Sequence, residues 1–217
     1  MKHLQSSAVA EAIRHCASCA CRKLVKAPVS GIGPSNARIV CVARNPGRDE
    51  DRAGVPLVGK AGQVFDRMLL RLFGISRDDV GILNTVSCFT ANNRQPFPEE
   101  ILACARHREA QLAFFESKIL VLAFGRQAIE AMIGPVAGKL QDVIGDLRRP
   151  VPIAGRTNPN LWGVIPLWHP AFLLRDRKFA VEFGERSAPL IRSTIQRCLD
   201  AGVPWARESQ NTLSGLD

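Results

Sequence analysis

The fold class is decided by the stretch RIVCVARNPG, residues 38–47. Residues 38–43 form an almost continuous apolar run with several β-branched side chains, which is typical of a strand buried on both faces in a parallel sheet. The Asn-Pro-Gly that follows predicts a turn directly after this strand. We therefore expect the chain to leave a buried strand through a long loop over residues 45–60.

Three more apolar runs of this kind follow along the chain, and helical patterns separate them. The predicted strands cover residues 80–86, 118–124 and 163–167, and the predicted helices cover residues 62–73, 98–115, 125–133 and 178–200. Strands that alternate with helices favour a parallel sheet covered on both faces. The sequence thus predicts an α/β fold.

The length of 217 residues suits one compact domain, and we expect a single domain over residues 1–217. Residues 1–26 are predicted to form a short helix and a cysteine knuckle, and residues 207–217 a flexible tail. The chain shows neither an apolar run of membrane-spanning length nor the apolar core of a signal peptide. We therefore expect a cytoplasmic protein without membrane contact.

The net charge of +9 and the pI of about 9.7 favour a polyanionic partner, because neutralised phosphates release their counterions. A charge that serves only solubility is the simpler alternative. Tyrosine is absent, so any stacking on nucleobases would depend on the ten Phe and three Trp. The composition alone is compatible with a nucleic-acid-binding protein and does not require one.

Seven cysteines, an odd number in a chain without a secretion signal, argue against a disulfide framework. Cys16 and Cys19 form a C-x2-C knuckle, and Cys88 and Cys104 complete a set of four that suits zinc or a four-iron cluster. Buried core cysteines are the alternative, and we interpret Cys41 and Cys198, the two outside this set and the knuckle, in that way. Cys21 is a spare that could replace Cys19.

Polar residues follow three of the predicted strands. The loops that begin at Arg44, after Asn84 and at His169 all leave strand carboxyl ends. Ligands of parallel α/β sheets bind at that edge. We therefore expect these three loops to converge on one functional site.

Three segments together resemble the family-four uracil-DNA glycosylases. They are residues 45–62 (NPGRDEDRAGVPLVGKAG), residues 84–88 (NTVSC) with Asn93, Arg94 and Pro96 after them, and residues 169–175 (HPAFLLR). The resemblance implies a three-layer α/β/α sandwich with a central four-stranded parallel sheet. It also implies a structural [4Fe–4S] cluster on Cys16, Cys19, Cys88 and Cys104, which favours iron over zinc.

The resemblance further implies a monofunctional enzyme that flips a nucleotide out of DNA and hydrolyses its N-glycosidic bond. His169 would then stabilise the charge that develops on O2 of the base, and Asn84 would read the pyrimidine edge. A capping or packing histidine beside Trp168 is the alternative for His169. A turn-forming asparagine is the alternative for Asn84.

Basic residues around the His-Pro segment are the predicted DNA contacts. Arg175, Arg177, Lys178 and Lys60 are expected to bind phosphates. Phe172, Leu173 and Leu174 are candidates for a wedge that enters the duplex, with core packing of a short helix as the alternative.

The sequence departs from the family at the first strand end, where Arg44-Asn-Pro-Gly47 replaces Glu-x-Pro-Gly. Asn45 matches the Asn-Pro-Gly of mismatch-specific, thymine-DNA and single-strand-selective glycosylases, which implies that it positions the hydrolytic water. The acidic run 49–51 could supply a base instead, although a solvated loop explains it equally well.

A second departure lies in Pro-Leu-Val-Gly, residues 56–59, where the family has a phenylalanine that stacks on uracil. Leu57 and Gly47 are expected to line the base pocket. Both departures lie at that pocket, which suggests a modified pyrimidine as substrate, for example a hypermodified base of viral DNA, and a role in antiviral defence. Ordinary uracil repair and inactive drift are the alternatives.

Two further classes remain open at this point. A non-catalytic iron–sulfur DNA-binding protein would keep the cysteines and the basic residues but would not need Asn45 or His169. A redox protein would need neither the His-Pro segment nor the wedge. We expect a glycosylase that acts on DNA as a monomer.

Overall fold

The computed structural model describes residues 2–117, 119–144 and 161–201. A four-stranded parallel sheet lies at its centre, in the order β2-β1-β3-β4. The strands are β1 (Ile39–Ala43), β2 (Gly81–Asn84), β3 (Ile119–Phe124) and β4 (Leu161–Leu167). The prediction of a four-stranded parallel sheet is confirmed.

Side chains of β1 alternate between two apolar cores, one on each face of the sheet. Ile39 and Cys41 belong to one core, and Val40 and Val42 belong to the other. Both faces are therefore covered, as the apolar run predicts. This confirms the three-layer α/β/α sandwich.

Helices supply the outer layers. They are α1 (Ala8–Arg14), α2 (Arg48–Ala53), α3 (Lys60–Arg67), α4 (Pro98–Ala113), α5 (Arg126–Ile133), α6 (Leu140–Ile144), α7 (Pro170–Arg175), α8 (Arg177–Glu182) and α9 (Ala188–Ala201). The π-helical turn Met68–Phe73 continues α3, and another, Phe183–Ser187, joins α8 to α9. None of these helices has the length and apolar run that crossing a bilayer requires.

The first of the helical layers contains α3 and α9. This layer packs in the core that contains Ile39 and Cys41, to which it contributes Phe65, Leu69, Ile191 and Ile195. Cys198 is buried in the same core, as predicted. The opposite core contains Leu112 and Phe115 beside α4, and Ile129 and Met132 from α5. Cys41 is also fully buried, which confirms its interpretation as a core residue.

The prediction of a continuous loop over residues 45–60 is wrong in part, because α2 lies within it. Its sequence RDEDRA has no apolar period, so the hydrophobic pattern gave no signal for a helix. Gly47 begins the helix and Gly54 ends it in the left-handed region, with φ at 68°. The predicted tail over residues 207–217 lies outside the described residues.

Candidate active site

Three loops leave the carboxyl edge of the sheet side by side. Asn84 is the last residue of β2 and pairs with Ala43 at the end of β1. Asn45 lies two residues beyond β1, and His169 lies two residues beyond β4. The structure therefore brings the three predicted polar residues to one edge of the sheet.

The amide of Asn45 is held from both of its ends. Arg44 Nε donates to Asn45 Oδ1 at 2.6 Å, and Asn45 Nδ2 donates to Pro46 O at 2.9 Å. Thr90 Oγ1 and Asn93 Oδ1 each lie 3.4 Å from the same Nδ2 atom. A carbonyl oxygen can accept two hydrogen bonds, so Asn45 Oδ1 keeps one acceptor position.

His169 begins α7 and caps it. Its Nδ1 accepts a hydrogen bond from the backbone N–H of Ala171 at 3.2 Å. In a neutral imidazole the other nitrogen, Nε2, must then carry the proton. The capping alternative is therefore correct for Nδ1, and Nε2 remains a donor for a ligand.

The surroundings keep His169 neutral. Burial, Arg44 and Arg175 together lower the pKa of His169 to about 4, with burial as the largest cause. A half-buried imidazole near two cations favours its uncharged form because protonation would cost both desolvation and repulsion. At neutral pH the ring is thus an uncharged hydrogen-bond donor.

Asn84 is buried, and its Nδ2 atom has no hydrogen-bond partner among the described residues. The neighbouring turn is closed by Thr85 instead, whose N–H and Oγ1 both donate to Ala43 O. An unpaired buried amide is costly unless a ligand satisfies it. The alternative of a turn-forming asparagine therefore has no support from these contacts.

The four cysteines of the predicted cluster line one cavity, together with Ser18, Arg22, Pro28, Ser87, Ala103 and His107. Cys21 points elsewhere: its thiol donates to Glu100 Oε1 at 3.0 Å. Burial raises the pKa of Cys88 to about 12, and the neighbouring thiols of Cys104, Cys19 and Cys16 add to the shift. The four thiols therefore act on one another across this cavity.

No three His, Cys, Asp or Glu side chains among the described residues lie close enough together to hold a single metal ion. Four thiolates around one zinc at 2.3 Å would be within about 4 Å of each other. His107 Nε2, buried at the cavity wall, has no partner in the described part of the chain.

Residues 30–190 match the family model described as the uracil DNA glycosylase superfamily. The chain belongs to this superfamily. It is 36% identical over 169 residues to a type-4 uracil-DNA glycosylase of Thermotoga maritima, which covers 78% of this chain and 83% of that protein. A type-4 uracil-DNA glycosylase of Pyrobaculum aerophilum is 34% identical over 193 residues, 88% of this chain and 95% of that protein.

A type-5 uracil-DNA glycosylase of Thermus thermophilus matches a shorter part, with 35% identity over 119 residues, 49% of this chain and 54% of that protein. The predicted resemblance to the family-four members of the superfamily is therefore confirmed by the longer matches. The departures from the family pattern can now be placed on the structure.

Arg44 stands at the position where the resemblance to family four implies an acid. Its guanidinium is half-buried and donates through Nη2 to the backbone and side-chain oxygens of Asn93 at 3.1 and 2.9 Å. Burial, and then repulsion from Arg175, lower the pKa of Arg44. The sequence shows that the acid is absent, but it does not show that Arg44 acts on His169, because only the fold brings Arg44, Arg175 and His169 together.

Glu50 is the acidic residue whose role the structure defines. Its two oxygens accept the backbone N–H groups of Gly47, Val58 and Gly59 at 2.8–2.9 Å. Glu50 thereby ties the Asn-Pro-Gly turn to the next loop, and it is a structural residue instead of a candidate base. Asp49 is exposed to solvent, as the alternative interpretation expects.

Leu57 is buried and adopts a left-handed backbone with φ at 53°. Such a conformation costs a leucine roughly 1–2 kcal/mol. Arg77 holds it in place by donating through Nη1 to Leu57 O at 3.0 Å. A Cβ atom on Gly62 would lie 2.0 Å from that same oxygen, which explains the glycine.

The predicted DNA contacts all lie in solvent. Lys60, Arg175, Arg177 and Lys178 are exposed, and α3, which begins at Lys60, packs against α7. Phe172 stacks on Trp168 with ring centroids 4.8 Å apart, and Leu173 packs against the core. Of the three wedge candidates only Leu174 is exposed, so the packing alternative applies to the other two.

Proposed function

We propose that this chain is a monofunctional DNA glycosylase, which hydrolyses the N-glycosidic bond of a flipped-out pyrimidine nucleotide and leaves an abasic site. The observation that carries the proposal is the pair of hydrogen-bond donors at the sheet edge: Asn84 Nδ2 is buried without a partner among the described residues, and His169 Nε2 carries the ring proton because Nδ1 caps α7. The type-4 relatives, named as uracil-DNA glycosylases, support the same reaction.

In this reaction the bond between C1′ and the base nitrogen breaks, the base leaves as an anion, and a water adds to C1′. His169 Nε2 is the donor for the oxygen on which that negative charge develops. One such donor is worth about 3–4 kcal/mol of barrier. Arg44 and Arg175, which already act on His169, supply further positive charge for the leaving base.

Asn45 is proposed to hold the water. Its Oδ1 accepts from Arg44 and retains one lone pair, while its Nδ2 is fixed by Pro46 O. Arg44 is therefore a positioning residue for Asn45. This arrangement assigns no base to Glu50, whose carboxylate is already committed to three backbone groups.

The pyrimidine is proposed to lie against Asn84, Leu57 and Gly47. Asn84 offers a buried amide that can pair with either face of a pyrimidine edge. Gly47 contributes only its Cα surface, because its N–H is donated to Glu50. Phosphate binding falls to Lys60, Arg175, Arg177 and Lys178, all of which are exposed and lie on α3, α7 and α8, with α7 in contact with both of the other helices.

Cys16, Cys19, Cys88 and Cys104 are proposed to hold a [4Fe–4S] cluster. Their shared cavity fits the donor set of four thiolates that such a cluster requires. When bound, the cluster would fasten the N-terminal segment to the loop after β2 and to α4. It takes no part in the steps above.

The substrate is proposed to be a substituted pyrimidine, such as those of viral DNA, and the cellular role antiviral defence. Leu57 in place of phenylalanine gives up stacking worth about 1–3 kcal/mol per base. Arg44 in place of an acid adds a cation at the same edge. Ordinary uracil repair is the competing role, and we further propose that the enzyme is a cytoplasmic monomer.

The test is mass spectrometry of the bases released from uracil-containing DNA, unmodified DNA and viral DNA with substituted pyrimidines. We expect release of a substituted pyrimidine, and Asn45→Ala should bind the same DNA within about threefold while losing base release. Efficient release of uracil alone would refute the substituted substrate. DNA binding without release from any substrate would refute the glycosylase and favour a non-catalytic DNA-binding protein.

A further inference from the structure

Phe97 is an exposed aromatic residue close to the active site. Its side chain is 49% exposed and directly precedes α4. Single exposed apolar residues are ordinary, and Leu102 on α4 is exposed to 77% without any special contact. What distinguishes Phe97 is how firmly its ring is held.

The guanidinium of Arg94 lies over the Phe97 ring, 3.8 Å from its centroid. Arg94 is fixed in turn by Glu100, through bonds of 2.8 Å to Oε2 and 2.6 Å to Oε1. Glu100 is buried and also accepts the Phe97 N–H at 2.8 Å. The ring, the cation and the carboxylate therefore form one rigid group.

Asn93, the residue before Arg94, connects the rigid group of Phe97, Arg94 and Glu100 to the loop that follows β1. Both Asn92 and Asn93 have a left-handed backbone, with φ at 52° and 55°. This turn directs the Asn93 oxygens to Arg44, and Asn93 Oδ1 also lies 3.4 Å from Asn45 Nδ2. Left-handed residues that position functional groups are common in binding sites. Phe97 is consequently held at a fixed place relative to Asn45.

We propose that Phe97, backed by Arg94, is a stacking platform for a nucleobase of the bound DNA, next to the flipped nucleotide. The proposal rests on the proposed function only in taking DNA as the partner. Aromatic rings stack on any base because every base has a π-face, and Arg94, whose charge is balanced by Glu100, contributes by holding the ring in place. The chain carries a net charge of +9, and Asn93, the residue before Arg94, contacts Arg44 and Asn45 at the sheet edge, so DNA fits this surface better than a protein partner does.

The test uses an oligonucleotide with a non-hydrolysable abasic-site analogue at the target position and 2-aminopurine beside it. Fluorescence anisotropy gives the dissociation constant, and quenching of 2-aminopurine reports stacking. Phe97→Ala should weaken binding about tenfold and abolish the quenching, whereas Phe97→Trp should retain both. Leu102→Ala, a matched loss of exposed apolar surface, should change binding by less than twofold.

Equal effects of Phe97→Ala and Leu102→Ala would overturn the platform, and so would quenching that persists in Phe97→Ala. Circular dichroism and iron content identify a variant that fails to fold, in which case Phe97→Leu replaces Phe97→Ala. The result for the stacking platform can be distinguished from the result for the proposed glycosylase function. Base release by the wild type tests the enzyme, and the platform is tested by binding alone.

Discussion

The sheet edge and the cysteine cavity lie only four residues apart along the chain, at Asn84 and Cys88, yet they differ in how they relate to the superfamily. The cavity keeps the complete set of four thiols, drawn from three separate segments. The edge carries Arg44 and Leu57 where the resemblance implies an acid and a stacking phenylalanine, beside the proposed site of the base. A four-thiol site is lost when any one of its ligands changes, whereas a single replacement beside the proposed base site can alter which base fits.

The largest effect is expected at the cavity. Cys88→Ser should lose all cluster iron and sulfide and should unfold at a much lower temperature, because cluster binding contributes directly to folding. Cys21→Ala should keep its iron, since the Cys21 thiol bonds to Glu100 and does not line the cavity. Iron and sulfide analysis with thermal unfolding measures both variants.

The opposite result for Cys19 and Cys21 would contradict the proposed set of cluster ligands. If Cys21→Ala lost its iron and Cys19→Ala kept it, the shifted knuckle would be correct. Equal retention by all cysteine variants would show that the thiols are ordinary core residues.

The next effect is expected at the edge. His169→Gln should lower the single-turnover rate of base release by about 10²–10³, the usual loss for one donor to a developing oxyanion. Iron content should stay at the wild-type level, because His169 follows β4 at one edge of the sheet, whereas Cys88 follows β2 at the other. Rapid-quench kinetics on the released base gives the rate, and a loss below threefold would argue against this role.

The sequence allowed the sheet, the positions of Asn45, Asn84 and His169, and the four cysteines to be predicted. Apolar strand runs and turn signals are local, so they can be recognised without the fold. The charge state of His169 could not be predicted, since it depends on Arg44 and Arg175 from different strand ends. Phe172 could not be separated from a wedge residue, because packing and wedge residues show the same pattern in a short helix.

The helix α2 is another feature that the sequence pattern did not predict. Glu50 begins it by bonding to Val58 and Gly59 as well as to Gly47, and these bonds cross from one loop to the next. The six charged and small residues of α2 have no apolar periodicity from which such contacts could be predicted. The structure therefore adds most where side chains from separate loops meet.

The smallest expected effect concerns Arg44 and the stability of the fold at mildly acidic pH. The folded pKa of His169, about 4, lies below its ordinary value of 6.5, so the unfolded chain binds a proton first as the pH falls. Stability is therefore complete above pH 6.5 and is lost progressively as the pH falls from about 6.5 to about 4. Between pH 7 and pH 5 this loss amounts to about 1–2 kcal/mol.

Arg44→Gln removes one of the two cations that act on His169, so the folded pKa should rise towards 6.5 and the loss between pH 7 and pH 5 should shrink by roughly 0.5 kcal/mol. Arg177→Gln is the matched control, because it removes an exposed cation that does not act on His169. Urea unfolding at the two pH values measures the difference for each variant. If Arg44→Gln and Arg177→Gln gave the same pH dependence, Arg44 would not govern His169, and burial with Arg175 would keep the ring neutral.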